Sequence, residues 1–284
     1  MKKWGLLVSL LCSVGVYCVS QGELLEKEVE IVAFHPDEHL EVRSEVIDEA
    51  TIYQGNLVLV NHEQPVRPEG VLPDVIDLFD HREEYASGYG LLDANVQLSA
   101  EVAEKFSEMI QAARQDGVDH FMVNSGFRDF SEQEQLFQEM GPAYALPPGH
   151  SEHNLGLSLD IGSTLMKMEE APEGEWLEDN AWKYGFILRY PKDKTDVTGI
   201  QYEPWHFRYV GLPHSAIMDD RNLALEEYLD TLKREKNLSV HVNDKEYRVL
   251  YFSLKETNTI QVPQNGSYEI SGDNSDGIIV TMYE

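Results

Sequence analysis

Cysteine is nearly absent. The 284-residue chain has two, Cys12 and Cys18, both in one uncharged run near the N-terminus, so the rest carries neither disulfides nor thiolate chemistry. Each follows a bulky residue, Leu11 or Tyr17, where lipid attachment would need a small one. Positive charge is scarce too: 22 Lys and Arg stand against 51 Asp and Glu, a formal net charge of -29 at pH 7. Such an excess repels phosphate backbones instead of releasing their counterions, which excludes nucleic acid as a partner. Serine-hydrolase signatures are also missing. No Ser-x-x-Lys occurs, Lys194-Thr195 is followed by Asp196 where Lys-Thr-Gly would need glycine, and there is no Gly-x-Ser-x-Gly elbow.

What remains is enough to fold. Hydrophobic residues make up 42% and aromatics 10%, too many for a chain kept disordered by charge, and the length suits one catalytic core with an accessory piece. Residues 1–20 stand apart. Lys2 and Lys3 precede seventeen uncharged residues, Trp4 to Ser20, the pattern of a secretory signal or a signal anchor. No small-x-small cleavage site stands out beyond Cys18-Val19-Ser20, so an N-terminal single-pass membrane anchor is favoured, with the body outside the cell; a cleaved segment would leave it secreted. Residues 21–50 hold ten acids against Lys27 and Arg43 and read as a solvated acidic stalk.

Ordered signals begin near Tyr53. The run Asn56 to Asn61 reads as a strand, and Ser99 to Gly117 as an amphipathic helix with Val102, Phe106, Met109, Ile110 and Ala113 on one face. Val118 to Asn124 is strand-like, and Ser131 with Glu134 forms a capping box that opens a second helix. Leu155, Leu157, Leu159 and Ile161 alternate with smaller or polar residues through Gly162, the period of a half-buried strand. Trp176 to Tyr184 reads as helix, Phe186 to Tyr190 and Trp205 to Val210 as strands, and Ser215 to Lys236 as one long helix. No regular βαβ repeat appears, so the core is expected to be α+β. Beyond Asn237, a hairpin about Asn243-Asp244 and further short strands predict a small β appendage over 237–284. That leaves 51–236 for the catalytic domain.

The chemistry concentrates between residues 125 and 206. His153 and Asp160 lie seven apart, and Glu203-Pro204-Trp205-His206 follows later. Two imidazoles and one carboxylate suit a catalytic zinc, because three protein ligands leave one tetrahedral position open to water. Glu203 is the candidate general base beside that water, and Pro204 frees it from strict strand alternation. Spacing alone leaves His150 as a competitor for His153, and an outward-facing Asp160 as the bland alternative.

These segments match a known family. Ser125-Gly126-Phe127-Arg128 with Gln133, then Pro148 to Gly156 through Asp160, then Glu203-Pro204-Trp205-His206-Phe207-Arg208-Tyr209, resemble the VanY-type zinc D,D-carboxypeptidases that accompany glycopeptide resistance. The resemblance covers roughly residues 50 to 220. It implies a small mixed, largely antiparallel sheet with flanking helices around one Zn²⁺, held by His153, Asp160 and His206, with Glu203 as the catalytic base. By the same resemblance Arg128 binds the oxyanion or the substrate's terminal carboxylate, and Gln133 and Ser151 help hold the substrate's C-terminal end. The implied substrate is the peptidoglycan pentapeptide stem ending in D-Ala-D-Ala. Removing its last residue removes the docking site of vancomycin-like antibiotics. Three other functions stay open. The same constellation serves L,D-carboxypeptidases on tetrapeptide stems and D,D-dipeptidases, though export argues against the latter. A non-catalytic wall-binding module with a structural zinc is the third, and a base beside His206 argues against it.

Overall fold

The computed structural model describes residues 29–32, 41–85, 87–142 and 145–283. The expected N-terminal anchor therefore lies outside the described residues, and among these no helix is long and apolar enough to cross a membrane.

The α+β expectation holds. At the centre is a five-stranded sheet in the order Gly90–Leu91, Phe121–Ser125, Ser158–Ser163, His206–Tyr209, Phe186–Leu188. The first pair is parallel and the rest antiparallel. Helix Ala100–Gln115 packs against it with Val102, Phe106, Met109, Ile110 and Ala113 fully buried. Each of the larger of these side chains contributes about 2 kcal/mol by leaving water. Its Ser99 N-cap works by relay: the Ser99 hydroxyl donates to Asp74 Oδ2 (2.8 Å), and that oxygen also accepts from the Glu101 N–H.

Several expected elements are corrected. Residues 56–61 form no strand, although the alternation is real: Leu57 and Leu59 enter one core, while Val58 and Val60 enter another. Side chains replace a ladder there, with Arg208 donating to the Asn56 and Val58 carbonyls, Asn274 to Leu59 O, and Leu57 N–H to Ser271 Oγ. The second helix, Phe130–Met140, starts two residues early because Asp129 and Glu132 form the capping box in place of Ser131 and Glu134. The third, Pro172–Asn180, gives way to a 3₁₀ turn, Ala181–Tyr184, before Gly185. The expected long helix is two, His214–Asp220 and Leu225–Glu235, broken where Asn222 takes φ 48°.

The acidic segment is not simply a stalk. Val29–Val32 pairs with Asn237–Val242, and Val42–Val46 pairs with Thr259–Pro263. The first contact makes the segment an edge of the C-terminal antiparallel sheet, ordered Val29–Val32, Asn237–Val242, Lys245–Ser253, Gly277–Tyr283, Ser267–Gly272. Helix Leu225–Glu235 joins this sheet to the centre. Tyr228, Leu229 and Leu232 share one core with Val240, Val249 and Ile279, and with Leu57, Trp182 and Ile187.

Candidate metal centre and active site

The adjacent strands Ser158–Ser163 and His206–Tyr209 set Asp160 and His206 opposite each other in register, on the face away from the buried Leu159 and Phe207. Glu152–Asn154 is a 3₁₀ turn capped by Ser151, whose hydroxyl accepts from the His153 N–H at 3.4 Å. That turn delivers His153 to the same point. Ligand atoms of His153, Asp160 and His206 all lie within 4.8 Å of one another. Asp160 Oδ1 is 3.4 Å from His153 Nε2 and 3.0 Å from His206 Nδ1. His150 is excluded from the group, since its Nδ1 bonds the Asn61 carbonyl at 2.9 Å.

The two remaining ring nitrogens are occupied elsewhere. His153 Nδ1 donates to Gly126 O (2.6 Å), and His206 Nε2 faces Glu152 Oε2 (3.4 Å). This leaves one nitrogen of each ring turned toward Asp160, as a metal-ligating histidine requires. The donor set, two imidazoles and a carboxylate held by their partners, fits a single Zn²⁺.

Electrostatics follow from these contacts. Burial alone would raise Asp160, but His153 and His206 hold it far below the ordinary carboxylate range. Burial lowers His153, helped by the charge of Arg128. For His206 burial also lowers, yet hydrogen bonds to Asp160 and Glu152 outweigh it and push the ring up to about 9. Glu203 is raised, first by burial and then by the negative charge of Asp160 and Glu152. A carboxylate whose pKa is raised by burial is a stronger base than an ordinary one, which suits it to take and return a proton.

The other expected site residues take distinct places. Arg128 follows the Ser125-Gly126-Phe127 turn, its N–H on His153 O (3.1 Å), and burial lowers its pKa. Among the described residues its Nε is buried without a hydrogen-bond partner, as is Gln133 Oε1. Gln133 Nε2 donates to Leu146 O (2.6 Å), tying helix Phe130–Met140 to the loop before Ser151. A cavity of about 370 Å³ is lined by Asn124, Gly162, Met166 and the two residues that follow Glu203 in the chain, Pro204 and Trp205. Trp205 is 40% exposed at its rim.

Sequence reasoning gave no role to a buried ionic network behind His206. Glu152 Oε1 accepts from Arg189 Nε and Arg208 Nη1, both at 2.8 Å, and Oε2 accepts from Ser158 Oγ at 3.2 Å. Arg189 in turn holds Glu226 with both terminal nitrogens, at 3.0 and 2.7 Å. The two arginines keep Glu152 ionised against its burial. Glu152 could have been noticed as a charged neighbour of His153, but Arg189 lies outside every motif.

The family model for VanY D-alanyl-D-alanine carboxypeptidases matches residues 95–212. The chain is 54% identical to a D-alanyl-D-alanine carboxypeptidase of Enterococcus faecium, over 98% of this chain and 94% of the relative. In structure it is similar to the vancomycin-resistance D,D-dipeptidase VanXYg, solved with a D-Ala-D-Ala phosphinate analogue, at TM-score 0.74 and 29% identity, covering 86% of this chain and 99% of that one. It is also similar to VanYB in complex with D-alanine-D-alanine, at TM-score 0.51 and 29% identity, covering 62% and 98%. The chain belongs to the VanY family of D-alanyl-D-alanine carboxypeptidases.

Proposed function

We propose that this protein is a zinc D,D-carboxypeptidase that works outside the cell membrane, removes the terminal D-Ala from pentapeptide stems ending in D-Ala-D-Ala, and thereby contributes to vancomycin resistance. The observation that carries the reading is the His153, Asp160 and His206 group, both rings buried and their spare nitrogens tied down, next to a raised Glu203. The complexed ligands of VanXYg and VanYB support the same substrate class.

His153, Asp160 and His206 would hold the ion. Zinc, when bound, supplies Lewis-acid chemistry, acidifying water and polarising the scissile carbonyl. Glu203 takes the water's proton as the oxygen attacks, and then delivers it to the departing D-Ala nitrogen as the amide C–N bond breaks. Arg128, with Nε unpaired, meets the developing oxyanion or the substrate's terminal carboxylate through its planar fork. Gln133 and Ser151 complete the end of the site that receives the terminal D-Ala, and the cavity beside Trp205 takes part of the remaining stem. In this reading residues 51–236 carry the catalysis, the N-terminal segment anchors the enzyme to the membrane, and residues 237–284 brace the core.

Mass spectrometry of a UDP-linked pentapeptide tests the reading. Loss of one alanine with zinc, none with chelator, and indifference to penicillin are expected. Cleavage of the tetrapeptide alone would instead establish an L,D-carboxypeptidase, and penicillin inhibition would contradict the metal-dependent mechanism.

A further inference from the structure

The ionic network behind His206 is costly and oddly placed for a purely stabilising device. Arg189, Arg208 and Glu152 are each 1% exposed or less, and Glu226 only partly exposed. Taking such charges out of water costs several kcal/mol per ion, and a well-packed apolar replacement is often as stable. Two acids against two bases also add no net charge to the centre.

Geometry gives the network another purpose. A buried imidazole on a strand can present either nitrogen to a neighbour by turning its ring over. His206 Nδ1 faces Asp160 only while Nε2 faces the Glu152 carboxylate. Glu152 in turn has no freedom. Ser158 fixes one oxygen and two guanidinium groups fix the other; Arg208 is held by the Asn56 and Val58 carbonyls at 3.0 Å and Arg189 by Glu226. Segment 56–60, the strand His206–Tyr209 and helix Leu225–Glu235 therefore converge on one carboxylate. The same 3₁₀ turn thus supplies a candidate ligand, His153, and the acceptor that aims its partner, His206.

We propose that Glu152 is a positioning residue for the metal centre: it fixes the His206 ring with Nδ1 toward Asp160, and the Arg189–Glu226 clamp makes the helix that carries the C-terminal sheet part of the support of that centre. The proposal rests on the zinc reading above. Loss of an acceptor of this kind weakens metal binding about 10- to 100-fold.

The test is the zinc dissociation constant, measured by chelator competition on the wild-type protein and on Glu152→Gln and Glu226→Gln, with kcat and KM at saturating zinc. Wild-type protein that binds no zinc would defeat the zinc reading itself. Given binding, Glu152→Gln should hold zinc at least about tenfold more weakly, with kcat falling and KM little changed. Glu226→Gln should give a smaller loss of about threefold or more, in the same direction. An unchanged dissociation constant in Glu152→Gln would overturn the proposal, even if the metal-free protein melted earlier. Should Glu152→Gln fail to fold, Glu226→Gln decides: wild-type zinc affinity in that variant overturns the proposal, and weakened affinity supports it.

Discussion

Arg128 shows how a single side chain is placed for the proposed chemistry. Its backbone is fixed at both ends, N–H to His153 O and carbonyl from Asn154 Nδ2 (2.7 Å), so the side chain leaves a rigid turn. The side chain is half-buried and its Nε is buried without a partner, a cost that a bound anionic group would relieve. Lysine keeps the charge but not the planar fork. Arg128→Lys is therefore expected to lower kcat/KM by about a hundredfold, the scale of losing one oxyanion donor, while zinc content stays at the wild-type level. Steady-state kinetics with metal analysis checks this, and a lower zinc content would mean that Arg128 supports the metal instead. At this scale the sequence was most informative, because His153 and Asp160, and likewise Glu203 and His206, are close neighbours along the chain. Arg189 was not legible: it reaches Glu152 across 37 residues, and an arginine near a strand end looks like a surface charge until burial is known.

Elements turn those residues toward one another. The turn after Phe121–Ser125 runs tight against the strand Gln97–Ser99, where the Phe127 N–H bonds Gln97 O at 2.6 Å. Gly126 sits in that approach, and any Cβ there would run into the Gln97 carbonyl oxygen. Its own carbonyl accepts from His153 Nδ1, so the turn and the proposed ligand His153 are tied together. Gly126→Ala should destabilise the fold by about 1–3 kcal/mol, the usual cost of overpacking, and weaken zinc binding as well. Urea unfolding and chelator competition read the two effects; a stable variant with normal zinc affinity would separate the turn from the centre. Local pattern failed where two signals competed. Asp129 with Glu132 and Ser131 with Glu134 are both capping pairs two residues apart, and the long-range bond from Arg128 N–H to His153 O favours the earlier start. The apolar run 57–60 has the period of a strand, but its two faces meet different cores and it pairs with no strand among the described residues.

At the scale of the whole molecule, the C-terminal sheet shares one core with helix Leu225–Glu235 and with Leu57, Trp182 and Ile187. His214 sits in that junction, its Nδ1 on the Tyr228 hydroxyl (2.7 Å) and its Nε2 on Thr281 Oγ1 (2.9 Å). Burial pushes its pKa down to about 3. The unfolded chain takes up a proton near pH 6.5 that the folded chain refuses, so this contribution is intact above pH 6.5 and is lost as pH falls toward 3. Between pH 7 and pH 5 the loss is about 2 kcal/mol. His214→Gln, which does not titrate, should show a correspondingly smaller difference between urea-unfolding free energies at pH 7 and pH 5; an identical difference would mean that His214 does not report on the junction. The pairing of Val29–Val32 with Asn237–Val242 was beyond local reading, because a short apolar stretch within an acidic segment becomes a strand only when a distant edge receives it.

All three scales meet at Glu203, and the most direct measurement is turnover and zinc content of Glu203→Ala on the D-Ala-D-Ala pentapeptide. With Glu203 as the general base, one zinc per chain should be retained and kcat reduced at least about a thousandfold. A near-normal rate with zinc in place would contradict that role.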